Sequence, residues 1–320
     1  MKKIVLYNPA ISSLNLGDEI IVEGCKQNLN KLFSDDMYIE ISTHLPVSNS
    51  YLNRIKDVKY SFVLGSNLLM PKLDARFRQW DIKIWNVDYM KPVILMGVGW
   101  NRYSTKTTTY TKNLYKKLLS DKFLHSVRDK YTEQKLKEIG IDNVLNTGCP
   151  TFWNLDKEHC KSIPRMKSDK VIFTLTDYKR DLIKDKKIIE ILKKNYKKVY
   201  FWIQGSDDYE YFKHINLNKD IEIISPKLEA FDKILKTNVD YVGTRLHGGI
   251  RALQYRCRSI ILAVDNRATE LNKNYNIPIL QRENIDELEE MINKELVTDI
   301  LLPSENIAKW KKQFVEVWKG

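Results

Sequence analysis

The sequence predicts an α/β fold of two doubly wound parallel-sheet domains facing across a cleft, and three features of its 320 residues carry that reading. Apolar runs such as Ile4–Asn8, Val171–Leu175 and Ser259–Val264 show the near-continuous hydrophobicity of strands buried on both faces. Amphipathic helical patterns alternate with them, as βαβ units require. A polar, irregular stretch at Asp156–Lys170, containing Pro164, separates two such series. The expected organisation is a first domain over 1–155, a linker over 156–170, a second domain over 171–303, and a C-terminal helix over 304–320 packing back on the first.

In the first series, Ile4–Asn8 is followed by a polar loop to Gly17, and Asp18 is expected to cap a helix with Ile21, Cys25, Leu29 and Leu32 on one face. Met37–Ser42, Ser61–Leu64 and Pro92–Met96 are the next strands. The last two end in Gly65-Ser66-Asn67 and Gly97-Val98-Gly99, small residues of the kind a ligand-facing loop needs. A helix over Thr109–Leu119 follows. Phe123–Val127 is a strand ending at Arg128-Asp129, and Lys130–Ile139 is a helix stopped by Gly140. Val144–Asn146 closes the half and leads into Thr147-Gly148-Cys149-Pro150.

The second series has strands at Val171–Leu175, Val199–Ile203 and Ile221–Ile224, with helices over Asp181–Lys194 and Lys227–Lys236. Its most informative unit begins with the strand Val239–Val242. Gly243-Thr244-Arg245 follows, then a helix on which Leu246, Ile250 and Leu253 share a face, then the strand Ser259–Val264. Helices over Thr269–Asn276 and Ile285–Leu296 come next. The final helix, Ser304–Trp318, puts Ile307, Trp310, Phe314 and Trp318 on one side.

Ligands of such sheets lie outside the strand carboxyl ends. Asn15, Asp18, Gly65, Gly97, Arg128, Gln204, Arg245 and His247 all fall there. A helix amino terminus offers free N–H groups and partial positive charge to an anion, and Gly248 and Gly249 let a ligand approach that backbone. Arg245 adds a planar charged fork, and His247 a side chain that exchanges a proton near neutral pH. The unit is suited to holding a small anion and moving a proton on it. The glycines after the first strand do not form GxGxxG, so no dinucleotide fingerprint is read.

The formal charge of +12 points to acidic partners such as phosphorylated metabolites or anionic head groups. It is dispersed in pairs such as Lys116-Lys117, Lys186-Lys187 and Lys193-Lys194, without a basic arm, which argues against nucleic acid. Cys25, Cys149, Cys160 and Cys257 form no CxxC pair, so neither a zinc site nor a disulfide framework is expected. Reduced thiols in a cytoplasmic protein fit best. No stretch approaches the roughly 20 apolar residues of a spanning helix. The basic start Met1–Asn8 has too short an apolar run for a signal peptide. Peripheral contact with the inner membrane face through Lys-rich patches is expected.

Asn15-Leu16-Gly17-Asp18-Glu19-Ile20 resembles the NxGDexi start of polysaccharide pyruvyltransferases. Ser126-Val127-Arg128-Asp129 resembles their S-x-R-D strand end, and Thr147-Gly148-Cys149-Pro150 their TG-D-P turn, with Cys149 where Asp is usual. Thr244-Arg245-Leu246-His247 with Ala252 resembles their S/T-R-L/F-H-x-x-I-x-A segment, and Ala263-Val264-Asp265 with Arg267 fits the strand that follows. Gly65-Ser66-Asn67 stands where a more glycine-rich loop is common. The resemblance covers most of the chain, in order.

It implies a GT-B-like pair of Rossmann-like domains and transfer of pyruvate from phosphoenolpyruvate to a sugar, giving a cyclic ketal on a cell-surface glycan or its lipid-linked precursor. It also implies that Arg128, Arg245 and His247 bind the donor and act on it, and that the donor bridges the two domains. Leu246, Gly248, Asn15 and Gln204 complete the expected substrate-binding set. The chemistry agrees. A phosphate and a carboxylate need several cationic donors, and ketal formation needs a general acid for the vinyl carbon and a base for each hydroxyl. His247 is the expected acid–base residue and Asp18 a base or sugar-binding residue. No metal or organic cofactor is expected, because the donor is already an activated enol ester and no H-E-x-x-H or carboxylate cluster appears. Two other readings fit the same pattern: a GT-B glycosyltransferase using a nucleotide sugar, and a non-catalytic glycan-binding or scaffold protein.

Overall fold

In a computed structural model of the chain, residues 1–315 are described except 76, 77, 91, 102, 104, 105, 216–218 and 265. They group into two compact units. The first holds Met1–Ser13, Ile21–Trp153 and the chain from Pro303, and the second holds Leu14–Ile20 and Asn154–Leu302.

In the first unit, β1 (Lys3–Asn8), β2 (Met37–Ser42), β3 (Tyr60–Leu64) and β4 (Val93–Met96) form a parallel sheet in the order β2-β1-β3-β4. β5 (His125–Val127) and β6 (Val144–Asn146) pair in parallel. They run on from β4 through a bridge between Val98 and Val127, with Gly97 N donating to Ser126 O at 2.9 Å. The helices are α1 (Leu16–Asn30), whose first residues group with the second unit, α2 (Asn49–Arg54), α3 (Val87–Met90), α4 (Thr109–Leu118) and α5 (Lys130–Glu138). Both sheet faces are buried. Val5, Tyr7, Val63 and Leu95 face one apolar cluster, and Ile4, Leu6, Phe62, Leu64, Ile94 and Met96 face the other. Burial on both faces is why these strands read as unbroken apolar runs.

In the second unit, the order is β12 (Ile279–Gln281), β11 (Ser259–Ala263), β10 (Asp240–Gly243), β7 (Lys170–Thr174), β8 (Lys198–Trp202), β9 (Ile221–Ile224), all parallel. The chain winds from β7 to β9 on one side, then crosses to β10–β12 on the other. The strand order therefore reverses between β7 and β10, and the crevice outside their carboxyl ends is where such sheets bind ligands. Helices α6 (Lys157–Lys161), α7 (Leu182–Asn195), α8 (Asp208–Ile215), α9 (Leu228–Leu235), α10 (Leu246–Gln254), α11 (Asn266–Tyr275) and α12 (Leu288–Asn293) join the strands.

The last helix, α13 (Ser304–Val315), packs in the first unit. Its Ile307, Trp310 and Phe314 are buried against Phe33, Phe62 and Trp153. Phe62 meets Phe314 edge-on at 5.4 Å and Trp310 at 6.1 Å between ring centres. Trp318, expected on the same face, lies outside the described residues, as does Asp265.

Several boundaries differ from the sequence reading. Asp156–Lys170 is not a free linker. It carries α6 and belongs to the second unit, where His159 bonds to Leu253 O at 2.8 Å. Leu14–Ile20 leaves the first domain for the second, because Leu16 N donates to Gln204 O (2.9 Å) and Ser206 N to Leu14 O (3.0 Å). The helix expected over Ile285–Leu296 is a 3₁₀ segment over Arg282–Glu287 followed by the shorter α12, with Asn284 at non-helical angles. α2, α3, α6 and β12 are too short to show a period, and α8 is absent from the sequence reading.

Candidate functional site

β10 runs into its helix through Thr244 and Arg245. Tyr241 holds the junction: its hydroxyl meets Thr174 Oγ1 at 2.6 Å and donates to Arg245 O at 2.7 Å. α10 then opens with Arg245 as its cap residue, whose own side chain turns away and makes no cap hydrogen bond. Leu246 and His247 are the first two helical residues, both half-buried, and Gly248 is the third. The first turn of a helix carries partial positive charge, which favours an anion at such an opening.

The Arg245 side chain does not point out as an open fork. It is buried, at 5% exposure, and held from several sides. Nε donates to Leu175 O (3.2 Å) and Asp208 Oδ2 (3.1 Å), and Nη2 donates to Asp177 Oδ1 (2.6 Å) and to Asp208 Oδ1. Its guanidinium lies 5.2 Å from the Tyr178 ring centre. Burial alone would lower the Arg245 pKa, but the Asp208 and Asp177 carboxylates outweigh it and hold the guanidinium charged. Burial pushes the Asp208 carboxyl up while Arg245 pulls it down. Asp208 also accepts from Gly205 N (2.7 Å) and Asp177 N (3.1 Å), so it ties the ends of β7, β8 and β10 together.

Gln204 and Asn15 join this group. Gln204, at the end of β8, is 4% exposed and donates from Nε2 to Asn15 Oδ1 at 2.9 Å. Its Oε1 is buried without a hydrogen-bond partner and lies 3.0 Å from where a Cβ on Gly248 would stand. A side chain at 248 would also come within 2.9 Å of the Tyr241 hydroxyl, so only glycine fits. Asn15 Oδ1 accepts from Gly17 N (3.0 Å) and supplies the capping expected of Asp18. Asp18 is instead the third residue of α1, half-buried, where a carboxylate is favoured by the helix dipole. The second unit therefore brings Asn15, Gln204 and Gly248 together beside the Arg245 junction that opens into Leu246 and His247, while Asp18 lies in the first turn of α1 in the same unit.

Arg128 lies in the first unit, at the end of β5, and is 7% exposed. Its Nε is 3.1 Å from Asp129 Oδ2. Asp129 caps α5, its Oδ1 accepting from Thr132 N and Thr132 Oγ1 at 2.7 Å each. The Arg128 side chain lies across Gly99, where a Cβ would fall 2.4 Å from Nε. Gly97, at φ +68°, abuts Pro150. Cys149 is buried, its thiol pushed up by burial and hydrogen-bonded by Thr151 Oγ1 at 3.1 Å. Among the described residues, no three His, Cys, Asp or Glu side chains gather as a metal-holding group, and no helix is long and apolar enough to cross a membrane.

Sequence reasoning missed Asp177, Asp208, Thr174 and Tyr241 as partners of the site. Asp177 and Asp208 each follow a strand end by a few residues, which is the signal that could have marked them.

Comparison with known proteins follows the same lines. The polysaccharide pyruvyl transferase family model matches residues 15–266. No curated protein matches. Among solved structures, the chain is similar to the UDP-GlcNAc 2-epimerase of Methanocaldococcus jannaschii, with 14% identity, TM-score 0.54, and 99% of each chain covered. It is also similar to S. aureus MnaA with UDP, at 12% identity and TM-score 0.52, covering 99% of this chain and 98% of that one. At such identities the likeness shows the fold alone, of the GT-B-like, two-domain Rossmann class. The family match takes in both the Asn15-Leu16-Gly17-Asp18 start and the Arg245-Leu246-His247 segment, and by it the chain belongs to the polysaccharide pyruvyl transferase family and is a transferase.

Proposed function

We propose that this transferase moves pyruvate from phosphoenolpyruvate onto a sugar of a cell-surface polysaccharide or its lipid-linked precursor, as a cyclic ketal. The observation that carries the reading is the opening of α10 directly after the buried Arg245, with His247 and Gly248 in its first turn and a side chain at 248 excluded by Tyr241 and Gln204. The partial positive charge of a helix amino terminus suits the donor phosphate. Arg245 supplies the fixed charge, and Arg128 is proposed as a second substrate-binding cation.

The steps follow from the donor's chemistry. His247 protonates the terminal CH2 carbon, which becomes the methyl group, and a sugar hydroxyl adds to C2 as its proton passes to a base. The C2–O bond to phosphate breaks and inorganic phosphate leaves. A second hydroxyl adds to C2 and loses its proton, closing the ketal. One hydroxyl proton replaces the one given to carbon, and the other leaves with phosphate or solvent. Asp18 is proposed as the base or as a sugar-binding group. No cofactor takes part in this sequence. The reading places the enzyme in the cytoplasm.

The test is incubation with phosphoenolpyruvate and extracted lipid-linked glycan, following phosphate release. Release only when acceptor is present supports the reading. Thermal shift separates the alternatives, since a ligand at 100 times its Kd stabilises the fold by about 2.7 kcal/mol. Stabilisation by nucleotide sugars with no phosphate release would overturn it in favour of a glycosyltransferase. Glycan binding without any turnover would favour a scaffold.

A further inference from the structure

We infer that the first unit carries a second binding groove, for an acidic saccharide, between α4 and the turn that precedes α3. This rests on the glycan reading above and extends it to the polymer around the modified sugar. A cavity of about 470 Å³ is lined by Ile84, Tyr110, Asn113, Lys116 and Lys117. That volume is within the range of small-ligand sites, about 300–1,000 Å³.

Charge selects the ligand. α4 reads Thr-Tyr-Thr-Lys-Asn-Leu-Tyr-Lys-Lys-Leu and contains no acid, and no acid lines the cavity. The helix that follows in the chain, α5, neutralises two of its three lysines within itself, Lys135 with Glu138 and Lys137 with Glu133, each at 2.7 Å. Lys112, Lys116 and Lys117 have no such partner among the described residues. Unpaired positive charge collected at a concave site attracts an anion.

The walls select a sugar. Tyr110 is fixed as one wall because its hydroxyl accepts from Ile84 N at 3.3 Å. Asn113 is exposed and offers both a donor and an acceptor to hydroxyls. Next in the chain to Ile84, Trp85 is 60% exposed, with Lys83 Nζ 5.5 Å from its ring centre. Aromatic faces with amide and ammonium groups around them suit the apolar face, hydroxyls and carboxylate of a sugar acid. The Tyr110 ring and the Asn113 amide set among the lysines favour this over the membrane contact expected from composition. A pyruvate ketal leaves one carboxylate on its sugar, so a modified polymer carries the matching charge.

The experiment compares the native chain with the double variant Lys116→Glu/Lys117→Glu. The control is Lys186→Glu/Lys233→Glu, which changes the net charge equally in the second unit. Binding is measured at fixed ionic strength to a galacturonic acid octasaccharide, to neutral maltooctaose, and to vesicles of phosphatidylglycerol or phosphatidylcholine. The native chain and the control should prefer the acidic saccharide, and the groove variant should bind it about tenfold more weakly. Melting temperature and pyruvyl transfer to a short acceptor should stay unchanged in it. Equal loss in both variants would reduce the effect to net charge and overturn the groove. Loss of phosphatidylglycerol binding alone would overturn it in favour of a membrane surface. Absence of pyruvyl transfer in the native chain would defeat the functional reading while leaving the binding result standing.

Discussion

Asp177 Oδ1 lies 2.6 Å from Arg245 Nη2, so the guanidinium proposed for the donor is already held by a carboxylate. Asp208 holds it from a second side. One positive charge therefore faces two carboxylates, and a further anion meets repulsion as well as attraction. Asp177 is the more accessible of the pair, with its side chain 21% exposed against 0% for Asp208. We expect Asp177→Asn to bind phosphoenolpyruvate about three- to tenfold more tightly, an effect of the size of a partly exposed ion pair. Titration calorimetry reads this directly. Unchanged or weaker binding would show that Asp177 does not compete for Arg245.

Arg245 and His247 should separate by stability. Arg245→Lys keeps a charge but loses the fork that reaches Leu175 O, Asp177 and Asp208 at once. Stripping a buried carboxylate of its partner costs about 3–5 kcal/mol. The lysine variant should therefore melt lower and bind donor less tightly. His247→Gln, half-buried at the helix opening, should fold and bind donor while turnover falls by roughly 10²–10⁴. Near-normal turnover of His247→Gln would remove it from the mechanism.

His125 gives the first unit a pH dependence. Its Nδ1 accepts from Leu95 N at 3.2 Å, and its Nε2 faces Ser120 O at 2.9 Å, a pattern that fits only the neutral ring. Burial lowers its pKa from 6.5 to about 4, against a smaller opposing effect of Ser120. Between those values the unfolded chain binds the proton and the folded chain does not. The stability is fully present above about pH 6.5 and is lost as pH falls toward 4, by about 3 kcal/mol in all. Urea unfolding of the native chain across this range should show the slope, and His125→Asn should flatten it. An equal slope in the variant would assign it to other groups.

Trp310 anchors α13. It is fully buried and meets Phe62, Phe314 and Trp153 within 6.1 Å. Trp310→Ala should cost about 3–5 kcal/mol. A loss below 1 kcal/mol in urea unfolding would mean that the helix is only lightly held.

The sequence by itself determined the class of fold, the division into two β/α series and which residues stand at the carboxyl ends of the strands. Those features are written within short windows: an apolar run of the kind buried on both faces, a helical period, a glycine just past a strand end. The segment from Arg245 to Gly248 was legible for the same reason, since strand end, helix opening and glycine are contiguous. Tertiary structure alone decided how those residues are used. Asp177 and Asp208 reach Arg245 from 68 and 37 positions away, and Gln204 meets Asn15 across 189. Folding also moved Leu14–Ile20 into the second unit, through backbone hydrogen bonds that any sequence could make. Local pattern carries propensity and period. The partner of a buried charge depends on which strand ends the sheet order brings together, and no window of the chain contains that.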